Sequence, residues 1–124
     1  MPGPSAFDYA VVRVVPRVER EEFLNVGVIL CCRAARYLAA RLRLDRERLA
    51  ALDPACDAEQ VEEHLAMIRR VCEDGGELGG MSQGERFHWL TTPRSATIQV
   101  SSVHSGLCDD PRLELEKLFV QLVA

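Results

Sequence analysis

Between Arg86 and Gly106 the chain reads RFHWLTTPRSATIQVSSVHSG. The stretch carries two arginines, two of the three histidines and the only tryptophan, with a glutamine, several hydroxyls and no acid. Donors without neighbouring carboxylates suit a carboxylate, a phosphate or an acidic peptide, because charge-assisted hydrogen bonds to an anion are short and strong. Arg94 follows Pro93, whose ring sets its own φ and keeps the preceding residue extended, and Ser95 sits beside it. On a strand over 95–103, Thr97, Gln99 and Ser101 share one face and His104 falls on the other. Arg13, amid four valines, must find a partner or reach the surface; Glu22 is the candidate for an ion pair. The candidate ligand-binding residues are Arg13, Arg86, His88, Trp89, Arg94, Ser95, Gln99, Ser101 and His104. Arg13, Arg94 and Gln99 are expected to share one polar patch.

Reaction chemistry finds less support. The sequence contains no Walker A or HExxH signature. The glycines at 75, 76, 79 and 80 lack the lysine of a phosphate loop. A Cys108 nucleophile would need His104 as its base, and a spacing of four residues on a strand-to-loop segment does not ensure contact. His88, His104 and Cys108 match no common zinc spacing, so neither a metal nor a cofactor is expected. The competing enzymatic reading is a small hydrolase or nucleic-acid-processing enzyme. His88 or His104 would be its general base, with Arg94 stabilising a developing anion. That segment has no carboxylate to orient a histidine; Glu22, Asp109 or Asp110 would have to come in from elsewhere. A non-enzymatic binding or adaptor domain, taking an anionic ligand or an acidic protein partner, is therefore the preferred reading.

Composition sets the frame. A chain of 124 residues suits one domain, and 48% hydrophobic with 27% charged residues is the balance of a globular protein. No apolar run approaches the roughly 20 residues of a membrane span, and the start lacks a signal-peptide pattern, so a cytoplasmic location is expected. The net charge of −4 hides a split: residues 11–48 hold nine arginines against five acids, and 53–77 hold two against eight. Fourteen of the fifteen basic residues are arginine, which suits forked contacts with carboxylate or phosphate. The acidic total argues against nonspecific duplex binding. Five cysteines without a CxxC pair read as small buried hydrophobes in a reducing compartment. Cys31 and Cys32 would point to opposite faces of a strand.

The elements that must position these residues follow from periodicity. FDYAVVRVVP (7–16) and EEFLNVGVILCC (21–32) read as a hairpin of two strands, with Gly27 marking a bulge or a close backbone approach. YLAARLRL (37–44) alternates as a third strand, although its composition also favours helix. DRERLAALDP then forms a short helix capped by Asp45. AEQVEEHLAMIRRVCE (58–73) is the clearest helix, with Asp57 and Gln60 in a capping-box pattern and Val61, Leu65, Ile68 and Cys72 along one face. EDGGELGGMSQGE reads as a glycine-rich loop, 95–103 as a fourth strand, and Asp110-Pro111 opens a last helix. The expected fold is a single α+β domain over 1–124, a roughly four-stranded, mainly antiparallel sheet packed against helices.

YAVVRVVPRVEREEFLNVGVIL and RFHWLTTPRSATIQVSSVHSGLCDDP together resemble a bacterial family catalogued as domain of unknown function 3037 (DUF3037). The likeness runs from about Tyr9 to Val123. Tyr9, Arg13, Pro16, Glu22, Asn25, Val26 and Gly27 match its first motif. Its second is matched by Arg86, Phe87, His88, Trp89, Pro93, Arg94, Ser95, Gln99, Ser101, His104 and Gly106. The resemblance implies a small single-domain protein without an assigned activity, and a partner, a kinase of the HipA type. It implies no catalytic residue.

Overall fold

A computed structural model describes residues 3–124. The first strand, β1 (Ser5–Val14), is central. It pairs antiparallel on one side with β2 (Leu24–Cys32), which in turn pairs with β3 (Tyr37–Leu42). Its other side carries two short strands end to end: β4 (Ile98–Val100) opposite Val12–Val14, and β5 (His104–Cys108) opposite Ser5–Tyr9. The sheet thus has five strands in four positions, the fourth broken between Val100 and His104. Ser101 bridges the break: its N–H donates to the Val11 carbonyl and its Oγ accepts from the Val11 N–H, both at 2.8 Å. A side chain replaces a ladder carbonyl there, so the Val11 N–H is not left orphaned.

Helices cover both faces. On one lie α1 (Arg46–Leu52), α2 (Ala58–Glu73) and α3 (Gln83–Thr91). Leu49, Val61, Leu65, Ile68, Cys72, Phe87 and Leu90 pack there on Val12, Val14, Val26, Ile29 and Cys31. On the other lies α4 (Pro111–Leu122), whose Leu115, Leu118 and Phe119 pack on Phe7, Val28, Leu30 and Cys32. The vicinal cysteines do face opposite layers. All four helices start at the residues their caps dictate: Asp45, Asp57, Ser82 and Asp110 each accept backbone N–H bonds from the first turn.

The bulge sits where β1 and β2 lose register, with Val12 opposite Gly27 but Arg13 opposite Asn25, leaving Val26 as the extra residue. Gly27 also allows a close approach, since a Cβ there would strike the Leu42 side chain and come within 2.8 Å of the Arg41 carbonyl oxygen. Residues 37–42 are strand, resolving that ambiguity as expected. Two assignments are corrected. The loop expected over 73–85 gives way to a helix at Gln83 that runs to Thr91, because Ser82 and Glu85 close a capping box and Phe87 and Leu90 provide a buried stripe. His104 belongs to a strand, not a loop, because β1 extends to Ser5 and its edge needs a partner over that length.

Candidate functional site

The donor-rich segment is split by the fold into three environments. Arg86, on the inner side of α3, donates from Nη1 to the Val71 carbonyl at 2.7 Å and the Cys72 carbonyl at 3.4 Å, clamping α3 to the last turn of α2. Its cation meets the negative end of that helix. Ser101 bridges the broken edge strand. His104 lies on β5 against Tyr9, ring centroids 5.3 Å apart. These three serve the scaffold.

Arg13 and Gln99 form a second environment. They are direct partners across β1 and β4, with Asn25 on the far side of Arg13. This row alternates with Val12 and Val14 and so faces the α4 layer, where Asn25 Nδ2 donates to the Leu122 carbonyl at 3.1 Å. The Arg13 guanidinium carbon sits 4.3 Å from the centre of the Phe23 ring. Glu22 does not pair with it; its carboxylate takes Arg20 at 2.6 Å instead. Arg13 Nε and Asn25 Oδ1 are buried without a protein partner. Gln99 Nε2 donates to the Ala96 carbonyl at 2.8 Å.

The third environment gathers His88, Trp89 and Arg94 around an open cleft of about 800 Å³. Its other walls are the α3 N-terminal turn (Ser82–Glu85), Thr92 and Arg33 from the turn between β2 and β3. Arg94 is held by its neighbours: its guanidinium carbon lies 3.8 Å from the Trp89 ring centre, and its Nε donates to the Trp89 carbonyl at 3.2 Å. The stack and the α3 C-terminal carbonyls stabilise the cation without consuming its charge on a carboxylate. Arg33 lies flat along α3, so closely that a Cβ on Gly84 would sit 3.1 Å from its Cζ, Nε and Nη2. Among the described residues no carboxylate pairs with Arg33 or Arg94. Glu85, the one acid in the wall, is held low in pKa by the Ser82 backbone N–H that it accepts.

Because Trp89 packs on the α1–α3 core and Arg13 faces α4, Arg13 and Arg94 lie on opposite sides of the sheet. The expected single patch of Arg13, Arg94 and Gln99 is therefore corrected: Gln99 neighbours Arg13 across the strands and lines a recess with Arg94, but Arg13 itself faces α4. Sequence reasoning missed Arg33, whose role depends on which helix the β2–β3 turn meets. The cue for that meeting was Ser82 with Glu85, which places α3's first turn and lets Gln83 Nε2 donate to the Arg36 carbonyl at 3.0 Å. Ser95 lies at the far side of Arg94, its Oγ accepting from the Thr97 and Ile98 N–H groups at 3.2 Å to launch β4. Among the described residues no three His, Cys, Asp or Glu side chains gather to hold a metal ion, and no helix is long and apolar enough to cross a membrane.

Burial pushes the Cys72 thiol up to about 12, and the Cys31 thiol is also raised, against the pull of Arg33. Neither is primed as a nucleophile, which needs a lowered pKa.

No curated protein and no solved structure matches this chain. A family model described as "Protein of unknown function (DUF3037)" matches residues 9–123. Nearly the whole domain, from the central strand to the end of α4, lies within that match, and the chain belongs to the DUF3037 family.

Proposed function

We propose that this domain is a non-enzymatic binding module whose α3 cleft takes an anionic ligand or an acidic segment of a protein partner. One observation carries the reading: Arg33, lying against Gly84, and Arg94, held on Trp89, flank the same cleft, and neither is spent on a protein carboxylate. An arginine held in place loses less freedom on binding, and its remaining donors suit carboxylate or phosphate oxygens. His88 lines the same cleft and adds a further donor. Arg13, Gln99 and His104 do not line the α3 cleft, and Arg86 and Ser101 support its scaffold.

Trp89, as the only tryptophan, reports directly on the cleft. Its fluorescence, with thermal shift, should respond to acidic peptides, nucleotides or inorganic phosphate. Arg94→Ala and Arg33→Ala should each weaken the response about 10-fold or more, the equivalent of losing a charge-assisted hydrogen bond. A screen without any response, together with an Arg94→Ala protein that melts early, would assign Arg94 to structure and end this reading.

A further inference from the structure

Trp89 and Arg94 also line a second, smaller recess of about 300 Å³ on the other side of their stack. Its walls come from α2 (His64, Met67, Ile68), the end of α3 with the turn after it (Leu90 to Ser95) and β4 (Ile98, Gln99, Val100). We infer that this recess is the specificity pocket of the proposed site, and that its ligand is an acidic peptide segment carrying one aliphatic side chain close to its carboxylates. The inference rests on the binding reading above and names the partner class for it.

The chemistry of the two recesses differs across a shared wall. The outer cleft offers the cations, Arg33 and Arg94. The inner recess offers methionine, isoleucine, leucine and valine side chains, and its hydroxyls are already engaged. Thr91 Oγ1 donates to the Phe87 carbonyl at 3.0 Å, Thr92 Oγ1 to the His88 carbonyl at 2.8 Å, and Ser95 Oγ accepts two backbone N–H groups. His64 is its only ionisable side chain besides Arg94, and burial lowers the imidazole's pKa, favouring the neutral form. The Gln99 amide is engaged as well, its Nε2 donating to the Ala96 carbonyl at 2.8 Å, so the recess has few free groups to read a polar ring. Arg94 already covers one face of the Trp89 indole, so a nucleobase cannot stack on that face without displacing it. A free phosphate would fill only the outer cleft. A peptide with carboxylates on one side of the stack and an aliphatic side chain on the other satisfies both.

The test uses the full chain and fluorescein-labelled octapeptides holding two glutamates and one leucine, with the leucine placed one to four residues from the acids. Matched sets replace leucine by serine, or both glutamates by glutamine; inorganic phosphate is a separate arm. Anisotropy should show at least one leucine spacing binding about 10-fold or more tighter than its serine counterpart, because burial of an aliphatic side chain is lost. Met67→Ala should shrink that leucine preference, and Arg94→Ala should weaken the leucine and serine peptides alike. Equal binding of leucine and serine peptides would overturn the pocket assignment while leaving the anion reading standing. Binding of phosphate with none of the peptides would overturn the peptide assignment in favour of a small anion. Silence in every arm would overturn both readings.

Discussion

Two arginines eight residues apart illustrate how little a side chain's type says about its job. Arg86 spends its guanidinium on the carbonyls that end α2, with its Nε buried and unpartnered. Arg94 is exposed, stacked on Trp89 and free of any carboxylate partner. Removing the first leaves buried carbonyls unsatisfied; removing the second strips a surface contact. Arg86→Ala should therefore cost about 1.5–3 kcal/mol of stability, the range for hydrogen bonds to a charged group. Arg94→Ala should cost less than about 1 kcal/mol, as exposed charges do. Urea denaturation of the two variants checks this, and equal losses would contradict the division of labour drawn between them. The Arg13–Asn25 pair has a different character again. A donor and an acceptor stand in register without partners, complementary to each other and on the α4 side of the sheet.

At the scale of elements, the cleft exists because α3 meets the β2–β3 turn. Its capping box fixes where the helix begins, and Gln83 and the flat contact of Arg33 on Gly84 dock that first turn. Thr91 and Thr92 satisfy carbonyls at the other end, where the chain turns through Pro93 and returns Arg94 to Trp89. The sheet beneath depends on the contact of β2 with β3 at Gly27. Gly27→Ala should cost about 1–3 kcal/mol, the usual penalty of overpacking, because the new methyl meets backbone as well as the Leu42 side chain. Urea denaturation measures it, and an unchanged midpoint would mean that β3 can move away without loss.

For the whole molecule, the sheet separates two apolar layers that share only its strands. Leu65 (5% exposed) lies in the α1–α3 layer and Leu118 (8% exposed) in the α4 layer. Each truncation to alanine should cost about 2–5 kcal/mol. Because the sheet stands between them, the double variant should lose the sum of the two to within about 0.5 kcal/mol. A double-mutant cycle in urea reads this, and a coupling well above that value would show that strain crosses the sheet. If both single losses approach the stability of the native state, milder leucine-to-valine changes at the same positions keep the cycle measurable.

The local features were legible in the sequence for a physical reason: each depends on residues close together in the chain. Asp45, Asp57 and Asp110 announce helix starts, the valines of β1 and the run after Asn25 announce central strands, and Gly27 marks the bulge. Even α3 was encoded locally by Ser82 and Glu85, although the surrounding glycines obscured it. The alternation of 31 and 32 sufficed to send the two cysteines to opposite layers. What only tertiary structure decided is which distant pieces meet. HSGLC becomes a strand because β1 is long enough to pair it, and Ser101 becomes a ladder acceptor because the partner strand breaks beside Val11. Arg13 parts from Arg94 because a single sheet position puts one toward α4 while the helix layer holds the other. Arg33 enters the cleft from a turn about 60 residues away in sequence, and no short-range pattern records a contact made by the packing of a helix across a sheet.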